Sequence, residues 1–393
     1  MAHLRVLVGS PAAGALPGRT VPNGTLMLDL GPDHPSRAGL LEVELWTDPA
    51  GEVVERADVT VGAMHRGVEK LFEARDYRQL LALADRHDWQ APFAGELTVA
   101  LACEDLLGLT APPRAVWLRT LLAEHTRIAS HLGFLGYLAH RASPAGRPTR
   151  TPEHTVLREE LRRRMLTLTG QRIHPMVTRI GGLAADADEA WLDAEVAATA
   201  AAAPLAEDLA GLLDRPPLAA ASGLAALGPA TIDAYGVSGP AARASGVDLD
   251  LRRAEPYLAY ADLPLTALAP GPDETGGDAR ARFRQLAAEV TDSVRLVAAC
   301  AERLRDLPGP VAEPLPATLR LPEGETYRAT EAPLGMAGAH VVSRGDTTPW
   351  RLHLRTPSFA TVSALPAVLP GVPVEGLELA LASLGYVVGD IDR

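Results

Sequence analysis

The residues of this sequence best suited to chemistry lie in two short stretches. One runs from Gly31 to Gly39, carries His34, and is rich in glycine and proline. A loop of this composition between strands turns sharply and lets its backbone approach a ligand closely. The other is His65-Arg-Gly-Val-Glu-Lys70. His34 could pass protons to a ligand on its loop, or it could only brace the loop through backbone hydrogen bonds.

General catalytic and metal-binding motifs are missing from the sequence. It has no phosphate-binding GxxxxGKS or GxxxxGKT loop, no GxGxxG after a strand, no HExxH and no GxSxG. His125 and His131 lie six positions apart in a predicted helix, on different faces, and are expected to be structural. The two cysteines, Cys103 and Cys300, form no CxxC pair, so we expect neither a disulfide nor a cysteine-ligated cluster or nickel site within the chain.

Composition limits the partners that this chain can have. Its 393 residues are 47% hydrophobic and only 4% aromatic, so a large core can form and must be filled mainly by Ala, Leu and Val. The net charge of -12 and the pI near 5.4 argue against nucleic acid, which needs clustered positive charge. A protein or a small molecule is the expected partner.

Hydrophobic patterns predict an α+β fold. Strand-like alternation at 25–30, 40–46 and 52–58 predicts a small antiparallel sheet. Apolar residues that recur every three or four positions predict long helices at about 112–135 and about 280–307, and shorter ones at about 152–170 and about 377–384. We expect a β-rich region at 1–96, a helical core at 97–308 and a region of strands and short helices at 309–393, integrated into one domain.

Ordered motifs along nearly the whole chain resemble the D subunit of NADH-quinone oxidoreductase, respiratory complex I, which is related to the large subunit of nickel-iron hydrogenases. Besides the two opening stretches, the matching motifs are Asp85 to Asp88, Pro112 to Arg114, Glu124 to His131, Gly170 to His174, Arg179 to Gly182, Gly239 to Val247, Pro357 to Phe359 and Gly389 to Arg393. The resemblance implies a fold like that of the hydrogenase large subunit. It also implies a protein that lines a quinone cavity beside the terminal iron-sulfur cluster, which a partner subunit holds.

The resemblance also implies which residues face that cluster. Hydrogenase relatives hold their metal with paired cysteines, but the corresponding segments here, Arg86 to Trp89 and Gly389 to Arg393, contain no sulfur, so no metal site is expected. Arg86 and His174 match the family residues that face the partner's cluster. A cation and an imidazole donor stabilise a reduced cluster and raise its potential.

At the quinone end the sequence departs from the family. Relatives place a histidine and a tyrosine at the positions of Ala38 and Trp89, where they hydrogen-bond the quinone and can deliver a proton. Neither substitute can act as a general acid, although Trp89 still offers an indole N–H. The family aspartate that supports the histidine falls at Arg141 by ungapped counting. His34, on the same loop as Ala38, is the nearest alternative proton source. None of these quinone-cavity candidates is assigned as catalytic.

The resemblance implies partners and a location as well. The chain itself would bind no cofactor: quinone is the substrate, the cluster belongs to a B-type subunit, and NAD binds on another subunit. Further partners would be a C-type subunit and the membrane arm. We therefore expect a peripheral protein on the cytoplasmic side of the cell membrane, since no span approaches 18 uninterrupted apolar residues.

Three functions are compatible with this sequence. The first is a D subunit of a proton-translocating NADH-quinone oxidoreductase, inactive when alone. The second is a divergent scaffold paralogue in a complex I-like or hydrogenase-like assembly, with altered or lost quinone chemistry. The third is a small-molecule enzyme on the same frame.

Overall fold

A computed structural model describes residues 2–9, 25–31, 34–143, 152–268 and 276–393. Its described residues form three small sheets around a helical core, so the predicted α+β class is confirmed. The strands are β1 (Ala2–Gly9), β2 (Thr25–Leu28), β3 (Leu40–Thr47), β4 (Val54–Thr60), β5 (Thr178–Arg179), β6 (Gly182–Leu183), β7 (Gly324–Ala332), β8 (Gly335–Ser343) and β9 (Arg351–Arg355). Pro32 of the turn-rich loop and residues 144–151 lie outside the described residues.

The first sheet is mixed, which corrects the prediction of an antiparallel one. Its strand order is β2-β1-β3-β4, with β1 antiparallel to β3 but parallel to β2. The sequence patterns did not predict β1. The last four residues of this strand, 6–9, are all buried, so the run is continuously apolar and lacks the alternation of a half-exposed strand.

The four helices predicted from the sequence are present among the helices of the described residues. The helices of the described residues are α1 (Val68–Phe72), α2 (Tyr77–Ala84), α3 (Pro92–Leu107), α4 (Pro113–Ala142), α5 (Glu153–Thr169), α6 (Glu189–Ala200), α7 (Ala202–Gly211), α8 (Pro229–Tyr235), α9 (Gly239–Arg243), α10 (Leu251–Ala254), α11 (Ala279–Arg305), α12 (Pro357–Ser363), α13 (Leu365–Val368), α14 (Leu377–Ser383) and α15 (Val388–Ile391). The region before residue 97 therefore contains two short helices and the start of α3 as well as strands. The four predicted helices are α4, α5, α11 and α14.

Two long helices form the centre of the core. Helix α4 has 30 residues and α11 has 27, and they pack directly against each other. Both long helices were predicted, but α4 continues for seven residues beyond Leu135. Cys300 lies buried on α11, as expected of a packed core thiol.

The C-terminal region returns to the N-terminal one. Residues Val53 and Pro373 form an isolated antiparallel bridge, and α13 packs on β4. The main buried cluster contains side chains from the first sheet, the long helices and α12 to α15. This return of the chain brings distant motifs to one place.

One helical stretch of the described residues, Glu189–Asp214, is long and apolar enough to cross a membrane by length and hydropathy alone. Such a single stretch is weak evidence for a membrane span.

Candidate functional site

The loop that begins at His34 is anchored to the C-terminal part of the chain. His34 Nδ1 accepts the Ser36 N–H at 3.1 Å, and Nε2 donates to the carbonyl oxygen of Ala382 at 3.2 Å. Ser36 Oγ donates to the carbonyl oxygen of Tyr386 at 2.8 Å. Burial lowers the pKa of His34 to about 4. In this arrangement His34 braces the loop, and both of its ring nitrogens are occupied by backbone groups.

The segment that follows α2 packs against the C-terminal helix α15. His87 Nδ1 lies 2.9 Å from Oδ1 of Asp390, whose Oδ2 accepts the Ser358 N–H at 3.0 Å. The Trp89 indole lies against Gly389, where an added Cβ would be only 3.0 Å from ring atom Cε3. Glycine at position 389 therefore lets the two segments approach closely. The segments that resemble the metal-holding segments of hydrogenases are joined here by a histidine–aspartate hydrogen bond.

The end of the chain is held by α1 and the loop before it. Asp392 accepts the N–H groups of Gly62 and Met64 at 2.6 and 2.7 Å. Arg393 Nε lies 3.3 Å from Oε1 of Glu69. These contacts fix the residues that follow α15 relative to α1 and the loop before it.

Arg86 and His174, the two residues expected to face a partner's cluster, meet at Asp85. His174 Nδ1 lies 3.0 Å from the carbonyl oxygen of Asp85 and 3.2 Å from its Oδ1. The Arg86 guanidinium is paired with the same carboxylate and also lies 3.5 Å from Sδ of Met176. The Arg86 and His174 side chains are 39% and 28% exposed, whereas Asp85 is fully buried. Because a carbonyl oxygen only accepts, His174 Nδ1 carries a proton, and Nε2 has no hydrogen-bond partner within the described residues.

A buried glutamate holds the chain just after His174. Glu96 on α3 accepts the N–H groups of Met176 and Thr178 at 2.7 and 2.8 Å. Burial raises the pKa of Glu96 to about 8, and the nearby charge of Asp85 adds to the effect. Two acidic side chains thus lie buried beside the partly exposed Arg86 and His174.

Trp89 lies near the same surface. Its half-buried side chain lines a small cleft with Gln90, Ile173 and Pro175. Ile173 and Pro175 flank His174, so three of the residues singled out from the sequence, Arg86, Trp89 and His174, are brought into one neighbourhood.

Ala38, on the loop that begins at His34, lies next to the start of helix α15. Its methyl group is exposed, and a Cβ added to the adjacent Gly39 would lie 2.7 Å from Cβ of Val388. Arg141, at the position counted for the family aspartate, is itself paired with a carboxylate: its Nε lies 3.5 Å from Oε1 of Glu378. No described contact joins Ala38 to Arg141.

A second charged group, buried between the long helices, was missed in the sequence. Arg252 lies 3.2 Å from Glu124 and 2.6 Å from Asp250. Although burial opposes ionisation, Arg252 and Arg127 hold the pKa of Glu124 below its usual value. Glu124 belongs to one of the motifs that match the family, so the sequence did point to this position. Its partners lie far away along the chain, and no spacing in the sequence connects them to it. Paired and hydrogen-bonded in this way, these charges can stay buried.

Two histidines of α4, His125 and His131, are each paired with a buried glutamate. His125 Nδ1 lies 2.6 Å from Glu195, and His131 Nε2 lies 3.0 Å from Glu289, in each case with both partners buried. Within the part of the chain that the structure describes, no group of three His, Cys, Asp or Glu side chains could hold a metal ion.

Comparison with known proteins adds a family context. The family model of the 49-kDa subunit of the respiratory-chain NADH dehydrogenase matches residues 146–319 and 313–393. The D 2 subunit of NADH-quinone oxidoreductase from Salinispora tropica is 46% identical over 100% of this chain and 98% of its own length. The D 1 subunit of the same enzyme from Streptomyces coelicolor is 46% identical over 94% of this chain and 95% of its own.

A solved structure is similar over most of the chain. It is a chain from the membrane-bound sulfane sulfur reductase, an archaeal respiratory membrane complex, with 29% sequence identity and a TM-score of 0.79. The match covers 90% of this chain and 94% of that one.

Proposed function

This chain belongs to the family of NADH-quinone oxidoreductase D subunits, the 49-kDa subunits of respiratory NADH dehydrogenase, and we propose that it lines the quinone cavity of such a complex. Membership makes it a subunit of a membrane-associated oxidoreductase complex, with the other subunits as its partners. The proposal adds that the cavity lies beside the terminal iron-sulfur cluster of a partner subunit.

One observation carries the proposal: Arg86 and His174, 88 positions apart in the sequence, meet at the buried Asp85 on a partly exposed surface. Asp85 orients both side chains, since it binds the Arg86 guanidinium and accepts the hydrogen bond from His174 Nδ1. The Arg86 charge and a donor at His174 Nε2 would stabilise the extra electron on a neighbouring cluster. Trp89, which lines the cleft beside His174, would then lie between the cluster and a bound quinone.

The wider assembly follows from the same proposal. A B-type subunit would hold the cluster against Arg86 and His174, and a C-type subunit and the membrane arm would complete the complex. NAD would bind on another subunit. The chain would be peripheral, on the cytoplasmic side of the membrane, in a complex that couples quinone reduction to proton translocation.

Redox titration of the partner's cluster in the assembled complex tests this proposal. Arg86→Ala and His174→Ala should each lower the midpoint potential of the cluster, because each removes a group that stabilises the reduced state. Arg320→Ala is a suitable control, since Arg320 is an exposed arginine paired with Asp346. If both site variants keep the potential of the unmodified complex, Arg86 and His174 are ordinary packed polar groups and the proposed placement fails.

A second candidate function is a scaffold in which quinone chemistry is altered or lost. The exposed methyl group of Ala38 and the backbone-bound nitrogens of His34 favour it, because neither residue can give a quinone a proton in this arrangement. The double variant Ala38→His with Trp89→Tyr separates the two functions. A scaffold predicts no quinone reductase activity in the unmodified complex and a gain on restoration, of about 10²-fold or more for a positioned acid. If the unmodified complex already reduces quinone and restoration adds nothing, the scaffold function is excluded.

A further inference from the structure

A buried histidine–carboxylate pair lies beside Trp89. His87 is 6% exposed and Asp390 is 1% exposed, and the His87 Nδ1 to Asp390 Oδ1 distance is 2.9 Å. Asp390 is itself fixed, since its Oδ2 accepts the Ser358 N–H at 3.0 Å and its carbonyl oxygen accepts from Thr356 Oγ1 at 2.7 Å. A carboxylate held in this way accepts from Nδ1 and fixes the orientation of the imidazole ring.

The second nitrogen of His87, Nε2, lies against helix α3. Nε2 has no hydrogen-bond partner within the described residues, and it faces the start of α3, where a Cβ added to Gly95 would lie 3.1 Å from it. Pro92, one helical turn before Gly95, lines the same cleft as Trp89. Nε2 of His87 and the cleft that Trp89 lines therefore meet α3 one helical turn apart, at Gly95 and Pro92.

The charged groups around the pair come from two elements. Asp88, on the same segment, accepts the N–H groups of Gln90 and Ala91 at 2.9 and 3.1 Å. Burial raises the pKa of Asp88 to about 7, and the nearby charge of Asp390 adds to the effect. Burial lowers the pKa of Arg355, at the end of β9, and the charge of Asp390 opposes that change. Helix α3 contributes the uncharged Gly95 at this point.

We propose that His87, positioned by Asp390, supplies the protons that a quinone takes up beside Trp89. The inference rests on the proposed function, and it answers the question of the proton source that Ala38, Trp89 and His34 leave open. His87 would give its proton from Nε2, directly or through one water molecule in the cleft.

The step balances without further reactants. Reduction of a quinone to a quinol takes two protons and two electrons, and a partner's iron-sulfur cluster would supply the electrons one at a time. For each proton, the Nε2–H bond of His87 breaks as an O–H bond forms on the quinone, and the electron pair of the N–H bond stays on Nε2. Solvent then returns a proton to Nε2, while the Nδ1 proton remains with Asp390.

The test is the pH dependence of quinone reductase activity in the assembled complex. His87→Gln should lower the turnover number about 10²-fold, the contribution expected of a positioned general acid. It should also remove the decline in rate that accompanies loss of a histidine proton as pH rises, and added imidazole buffer should restore part of the rate. His131→Gln is the matched control, because His131 forms a buried pair of the same kind with Glu289 at 3.0 Å.

Asp390→Asn tests the positioning role. Its amide would present a donor to His87 Nδ1, which favours the neutral imidazole, so the declining limb of the pH profile should move to lower pH. This variant also serves if His87→Gln fails to assemble. Two results would overturn the proposal. One is a His87 variant with the rate and pH profile of the unmodified complex, and the other is an Asp390 variant whose pH profile does not move.

Reduction of the partner's cluster by NADH, followed by electron paramagnetic resonance, distinguishes failure of the proposed function from failure of the role of His87. If the unmodified complex reduces the cluster but no quinone, the proposed function fails and the role of His87 fails with it. If quinone is reduced normally and the His87 variant is unchanged in rate and pH profile, only the role of His87 is wrong.

Discussion

The close approach of Gly389 to the segment after α2 makes a direct prediction for Gly389→Ala. An added Cβ would lie 3.0 Å from Cε3 of Trp89 and closer still to Cζ3 and to the carbonyl oxygen of His87, whereas ordinary contact begins at 3.4 Å. The ring alone could turn aside, but the carbonyl oxygen belongs to the backbone. Either α15 or the segment after α2 must therefore move.

Overpacking of this kind costs about 1–3 kcal/mol. That loss should appear as local opening of α15, so its amides should exchange about 5-fold to about 150-fold faster with deuterium. The reporters are the N–H groups of Asp390, Ile391 and Asp392, which donate to Val387 and Val388 at 3.0 to 3.1 Å. Hydrogen exchange with mass spectrometry on the assembled complex measures this directly.

Gly211→Ala is the matched control. Gly211 has an ordinary helical φ of -61°, and an added Cβ there meets nothing within 4 Å. It should leave exchange in α15 unchanged and stabilise α7 by about 0.5–1 kcal/mol. Equal exchange of α15 in Gly389→Ala and the unmodified complex would refute the reasoning, since it would mean that the two segments do not pack as tightly as described.

Three further predictions concern stability and assembly. The Arg119 guanidinium lies 2.7 Å from the buried carboxylate of Glu104. Arg119→Met should lower the stability of the complex to thermal unfolding by about 3–5 kcal/mol, because it leaves that carboxylate buried without a cation. The double variant Arg119→Met with Glu104→Leu should recover part of the loss. Asp88→Asn keeps the oxygen that accepts two N–H groups but removes the buried charge. Because the pKa of Asp88 is raised from 3.8 to about 7, the folded state loses stability as pH rises through that interval. The stability of the variant should depend less on pH there, and the variant should be more stable than the unmodified complex at about pH 8. Finally, the chain expressed alone should be neither monodisperse nor active. A single monodisperse peak in size-exclusion chromatography, with activity in that peak, would contradict this prediction.

The sequence alone was sufficient to predict the long helices and to argue against a metal site. The stripe of apolar residues from Phe283 to Leu304 predicted α11, because the apolar residues of a helix that buries one face must recur every three or four positions. The absence of paired cysteines spoke against a hydrogenase-type metal site, since those ligands are required whatever the fold. Local motifs also identified Arg86 and His174 through the resemblance to a known family.

The tertiary structure decided which of these residues act together. His87 and Asp390 are 303 positions apart. Both lie in motifs that carry the resemblance, but neither was given a role, because a lone histidine and a lone aspartate carry no spacing signal. The use of both His34 nitrogens by the backbone likewise depends on where α14 returns, at Ala382. The placement of β1 between β2 and β3 could not be read from its sequence, because its last four residues are all buried and give no alternation. Local pattern determines which elements form, whereas contacts between distant segments depend on how the whole core packs, and those contacts set the chemistry available at this site.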